Sequence, residues 1–86
     1  KKEDPPNVPV ITILGSNPIV TCVGVPYVDP GATAWDEEDG DITSSIQTEV
    51  NVATAAPGGG NTTYTVTDSD GNTTTATRTI EVIYCK

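Results

Sequence analysis

Apolar and polar residues alternate along this chain in short runs, and nowhere do the apolar ones recur at the three-and-four spacing of an amphipathic helix. The runs cover residues 8–14, 19–25, 32–35, 42–52, 62–67 and 73–84, and turn-forming clusters separate them. In 42–52, Ile42, Ile46, Val50 and Val52 all fall on even positions, which predicts one strand with a single buried face. Tyr64 and Val66 in one run, with Ile80 and Val82 in the next, supply further inward faces. Between those runs lies Asp68-Ser69-Asp70-Gly71-Asn72, and Asp-Gly flanked by alternating residues is a strong hairpin signal. Gly15-Ser16-Asn17-Pro18 and Asp29-Pro30-Gly31 are turns, and residues 53–61, with Pro57 and Gly58-Gly59-Gly60, read as a flexible loop. The pattern predicts an all-β sandwich of two antiparallel sheets with about seven short strands over residues 8–86, after a charged, Pro-rich linker at 1–7.

Composition sharpens this picture at one point. Only 35% of the 86 residues are hydrophobic, with no Phe and no Met, so the core is small and its stability marginal. Trp35 is the largest apolar side chain available. It is expected as the central plug, beside Tyr64, Val66, Ile80 and Val82. The competing reading places an exposed aromatic patch from Trp35, Tyr27, Tyr64 or Tyr84 on the surface as a ligand platform.

Charge excludes two partner classes. Twelve acidic and four basic residues give a formal charge of −8, which repels nucleic acid and anionic membrane surfaces alike. No run approaches the ~18 apolar residues of a membrane-spanning helix. No signal peptide is present and the chain starts at Lys1 rather than Met, which reads as a mature or trimmed fragment.

Cys22 and Cys85 lack C-x2-C spacing and the chain has no His, so zinc is unsupported and a disulfide is expected, with two free thiols as the alternative. If neighbouring strands alternate in direction, Cys22, early in the second strand, meets Cys85 at the end of the last one. Cys85 has the opposite parity from Ile80 and Val82, so the bridge reads as a terminal staple rather than a core disulfide. The five acidic residues between Asp36 and Asp41 suggest a calcium site of Asp36, Glu38, Asp39 and Asp41, because calcium takes six to eight oxygens. The competing reading has Asp36 and Asp41 capping turn N–H groups. Asp68, Asp70 and Asn72 are explained by the hairpin without a metal. No catalytic residues are assigned: the absence of His removes Ser-His and Cys-His chemistry, and no phosphate-binding glycine loop opens a helix.

The stretch over 27–43, Tyr-x-Asp-Pro-Gly-Ala-x-Ala followed by Asp-x-x-Asp-Gly-Asp-Ile-Thr, resembles bacterial Ig-like domains of the DUF5011 type. That family is known from repeats in secreted and surface-anchored proteins and from a pesticidal crystal toxin. Residues 9–15 and 64–82 are similar to its first strand and closing hairpin. The resemblance implies an Ig-like β-sandwich and no activity. Cysteines are not characteristic of the family, a point where this chain departs from it. An Ig-like strand order would put the 36–41 loop and the 68–72 hairpin at opposite ends of the sandwich. Lys1-Lys2-Glu3-Asp4, followed by prolines, resembles the segment after the lipidated Cys of Bacteroidetes lipoproteins; that Cys is absent, and a charged tether fits as well. The expectation is a non-catalytic module of an extracellular or outer-membrane surface protein, possessing a lipid anchor upstream of Lys1 and spacing or stiffening neighbouring domains. The alternative is an adhesion module that binds a surface carbohydrate or protein and is stabilised by calcium.

Overall fold

The computed structural model describes residues 8–85; the 1–7 linker and Lys86 lie outside the described residues. β-Branched runs between turn glycines form seven strands: β1 (Val10–Ile13), β2 (Ile19–Cys22), β3 (Ala32–Asp36), β4 (Gly40–Asp41), β5 (Gln47–Asn51), β6 (Gly58–Thr67) and β7 (Thr73–Ile83). They make a three-stranded sheet, β1-β3-β4, and a four-stranded sheet, β2-β7-β6-β5. The result is an Ig-like β-sandwich. Its framework is the β6–β7 hairpin, whose register runs unbroken from Gly58↔Val82 to Thr67↔Thr73.

One pairing departs from an all-antiparallel plan. β2 lies parallel to β7, from Ile19↔Ile80 to Cys22↔Ile83. Asn17 continues this seam: its Oδ1 accepts the Thr79 N–H at 2.9 Å, beside a cis Asn17–Pro18 peptide.

Alternation decides what is buried. Tyr64, Val66, Ile80 and Val82 are all buried on the inner face of the larger sheet, as their parity predicts, and Ala34 meets them from β3. Trp35 is not the central plug: it is 58% exposed. Its neighbours Ala34 and Asp36 are buried, and in a strand two adjacent side chains cannot share a face. The interior is filled instead by Tyr64 and Arg78, the two largest fully buried side chains.

Two further expectations are corrected. Residues 42–52 are not one strand: Thr43–Ser45 form a 3-10 turn, and β5 is an edge strand whose residues are all exposed, Val50 included. Gly58-Gly59-Gly60 is not a loop but the start of β6, paired with β7. Glycine is required there by close packing, since a Cβ at Gly60 would lie 2.5 Å from the Asn51 carbonyl oxygen and 2.7 Å from Val52 Cβ.

Candidate functional site

The Tyr27–Gly31 turn is held to the sandwich by a buried polar clamp. Arg78 shares the even parity of Ile80 and Val82, so β7 carries its guanidinium inward, where it is wholly buried. It donates from Nη1 to the Ser16 carbonyl at 2.5 Å, from Nη2 to the Gly31 carbonyl at 2.9 Å, and from Nε and Nη2 to the Tyr64 hydroxyl. Asp29 Oδ1 lies 3.4 Å from Arg78 Nε and completes the ion pair. The Tyr64 hydroxyl donates to Asp29 at 2.8 Å, the Tyr27 hydroxyl at 2.7 Å, and the Gly31 N–H at 2.9 Å. Gly31 takes φ of 94°, which turns its N–H back onto the carboxylate. Burial pushes the Asp29 carboxyl upward, but the hydroxyls of Tyr27 and Tyr64 and the Gly31 N–H outweigh it, so its pKa lies below the usual value. Burial and the neighbouring Asp29 raise both tyrosines. These contacts join β6, β7 and two turns, so the clamp is structural. Sequence reasoning missed Asp29 and Arg78 as buried partners; the signal was a lone Arg on the inward parity of an apolar strand.

The two acidic loops lie together, contrary to the expected opposite ends. Asp39 accepts the Ser69 N–H and hydroxyl, both at 2.8 Å, and Asp36 is a side-chain neighbour of Asp68. The β3–β4 and β6–β7 turns therefore close the same end of the sandwich. Three of the four carboxylates expected to hold calcium are divided among separate tasks. Asp36 Oδ2 caps the N–H groups of Glu38 and Asp39, Asp39 reaches Ser69, and Asp41 accepts the Thr43 N–H at 3.0 Å. Among the described residues, no group of three or more acidic or cysteine side chains is placed to hold a metal ion. The capping reading describes Asp36 and Asp41. Asp68 likewise organises its own hairpin, accepting the N–H groups of Asp70 and Asn72 at 3.0 and 2.8 Å. Its carboxyl is pushed up by burial and pulled further down by these hydrogen bonds, for a net lowering. One polar atom here is left over: Asp36 Oδ1 is buried and has no hydrogen-bond partner.

Trp35 lies at the outer face of the smaller sheet, directly across from Val10 on β1 and Asp41 on β4. With Thr12, Thr33 and Thr43 these residues line an open groove of about 310 Å³. Tyr84 is also exposed, whereas Tyr64 is buried and Tyr27 partly so.

Cys22 and Cys85 form a disulfide with Cα atoms 5.5 Å apart. The expected pairing is present but its geometric reason is different. Cys22 is the last residue of β2, not an early one, and because β2 and β7 run parallel both finish at the same end. Cys85 lies past the end of β7 and is exposed, so the bridge is a terminal staple.

The two-sheet arrangement of seven strands is that of an Ig-like module. Residues 11–82 match the family described as bacterial surface protein, Ig-like domain, and the chain belongs to that family. No match is found among curated proteins. Among solved structures, the chain is similar to a lipoprotein from Bacteroides thetaiotaomicron, with 33% identity over 91% of this chain and a TM-score of 0.74. It is also similar to two structures of Clostridium perfringens ZmpB, each with 35% identity over 90% of this chain and a TM-score of 0.68. One contains CBM51-2 in complex with GlcNAc and INT domains; the other contains the M60 catalytic domain with CBM51-1 and CBM51-2. The chain spans 39%, 17% and 8% of those three chains, which are therefore much longer than this module. Among the described residues, no helix is long and apolar enough to cross a membrane.

Proposed function

We propose that the chain is a non-catalytic spacer of a bacterial surface protein, of the DUF5011 type, which holds neighbouring domains apart outside the cell, with a lipid anchor upstream of Lys1. The observation that carries this reading is the position of the two ends of the described chain. The Pro9 carbonyl accepts the Thr74 hydroxyl at 2.7 Å, at the start of β7, whereas Cys85 follows the end of the same strand. Eleven strand residues at about 3.3 Å each separate these points by roughly 35 Å. A module entered at one end and left at the other can be strung in series. The test is to insert one copy between two folded reporter domains and measure their separation by small-angle scattering. A gain of about 35 Å is expected, and an unchanged separation would remove the spacer role.

The exposed Trp35 favours a second, adhesive reading, in which the outer face of the smaller sheet binds a surface carbohydrate or protein. Glycan and peptide arrays probed with the wild type and with Trp35→Ala test it. Binding that depends on Trp35 supports adhesion, and arrays that do not distinguish the two proteins end it.

A further inference from the structure

We propose that the Trp35 groove docks a cationic side chain, a lysine or arginine presented by a basic protein segment. This rests on the adhesive reading and narrows it to one kind of partner. Strand alternation places Val10, Thr12, Thr33, Trp35 and Asp41 on one outer face, with Ala34 and Asp36 turned the other way. The indole thus has an aliphatic neighbour on one side and a carboxylate on the other. A flat aromatic face next to a carboxylate suits an ammonium or guanidinium group, which the ring quadrupole attracts while the carboxylate neutralises it. Asp41 is held in its ionised form, its pKa lowered by the hydroxyl and N–H of Thr43.

The charge of the surrounding surface points the same way. Of the four basic residues, Lys1, Lys2 and Lys86 lie outside the described residues, and Arg78 is fully buried. No exposed side chain among the described residues therefore carries a positive charge that would balance Asp41. Glu37, Glu38 and Asp39 are exposed on the adjoining loop and extend the negative field toward the groove. A neutral sugar would leave that field unused. It would also find one of the lining hydroxyls engaged, because Thr43 Oγ1 already accepts the Ala34 N–H while its proton serves Asp41. At about 310 Å³ the groove is at the small end of ligand clefts, with room for one long side chain.

The test titrates the folded chain with an end-blocked pentalysine peptide at low ionic strength, read by calorimetry and by the fluorescence of Trp35, the single Trp. Saturable binding that weakens with salt is expected. Trp35→Ala should weaken it about tenfold, and Asp41→Asn about threefold. Glu49→Gln and Glu81→Gln, which remove the same charge from the other sheet, should leave it unchanged. Thr33→Arg, which brings a cation into the groove and keeps the indole, should abolish binding, and it serves if Trp35→Ala does not fold. Undiminished binding by Thr33→Arg, or equal weakening by Asp41→Asn and Glu81→Gln, would mean attraction to bulk charge and overturn the proposal. A chitooligosaccharide titrated in parallel separates the two readings. If the sugar perturbs Trp35 and pentalysine does not, the cationic partner is refuted and adhesion stands. If neither perturbs it, the cationic partner is refuted and adhesion is left to the arrays.

Discussion

Asp29 and Arg78 sit 49 positions apart in the chain, yet the carboxylate of one lies 3.4 Å from the guanidinium of the other beneath the Tyr27–Gly31 turn. Arg78 is completely enclosed, so removing its counter-charge would leave a buried cation with only neutral partners. Asp29→Asn is expected to lower stability by about 3 kcal/mol, a cost of the kind seen when one partner of a buried pair is lost. Chemical denaturation checks this. A loss below about 0.5 kcal/mol, the range of ordinary surface changes, would mean that the tyrosine and carbonyl contacts alone satisfy Arg78.

The same clamp contributes to the pH limits of the domain, and Asp41 and Asp68, also lowered, add to the acid side. Asp29 has a lowered folded pKa, so its contribution is complete above the unfolded carboxylate value of about 4 and is lost as pH falls through the folded value. Tyr27 and Tyr64 have raised folded values, so their contribution holds below the unfolded value of about 10 and is lost as pH rises through the folded one. Thermal melts across pH should therefore show a plateau between these limits. In Tyr27→Phe the decline above pH about 10 should be shallower; an unchanged alkaline limb would remove Tyr27 from the account.

Much of this architecture was legible in the sequence, and the exceptions have two causes. Alternation placed Tyr64, Val66, Ile80 and Val82 correctly because each lies in a long strand whose parity the hairpin fixes. Trp35 was misplaced because its size was weighed above its parity, and Ala34 and Asp36 decide the register of β3. Cys22 and Cys85 were paired, but the parallel course of β2 is a tertiary choice that no local pattern records. For the same reason the meeting of Asp39 with Ser69 could not be foreseen, since it depends on which turns share an end. Arg78 was missed although its signal was present: a charge on the inward parity of an apolar strand demands a polar partner, and nothing local to β7 says that Asp29 supplies it.

The disulfide links residues 63 apart, closing most of the chain into one loop. Cys22→Ser with Cys85→Ser is expected to cost about 4 kcal/mol in the chain-entropy model. For a domain with so small a core this is a large share of total stability. Denaturation of the wild type with and without reductant provides the comparison, and a midpoint unmoved by reduction would contradict it.

Gly60 reports on whether the triple glycine is strand or loop. A loop glycine tolerates Ala readily, whereas here a Cβ would meet the Asn51 carbonyl and Val52. Gly60→Ala is expected to destabilise by about 1–3 kcal/mol, the cost of overpacking, while the same change at Gly59, where the nearest atom is 3.7 Å away, should cost little. Equal effects at the two positions would return the segment to a loop.

Replacing Asp36 should have an effect whose sign is unusual for a buried acid. Oδ2 already caps two N–H groups, whereas Oδ1 is buried without a donor and the Asp68 carboxylate is a side-chain neighbour. Asn in this position keeps an oxygen for the Glu38 and Asp39 N–H groups and offers an amide donor to Asp68 in place of a second acceptor. Asp36→Asn should therefore raise stability by about 1 kcal/mol, because its amide supplies the Asp68 carboxylate with a donor where Oδ1 was an unsatisfied acceptor. Asp36→Ala, which discards the cap as well, should lower it by about the same amount. Urea denaturation of the two variants separates the roles. If Asn destabilises as much as Ala, a carboxyl group is itself required at this position, and the join between the two acidic turns depends on it.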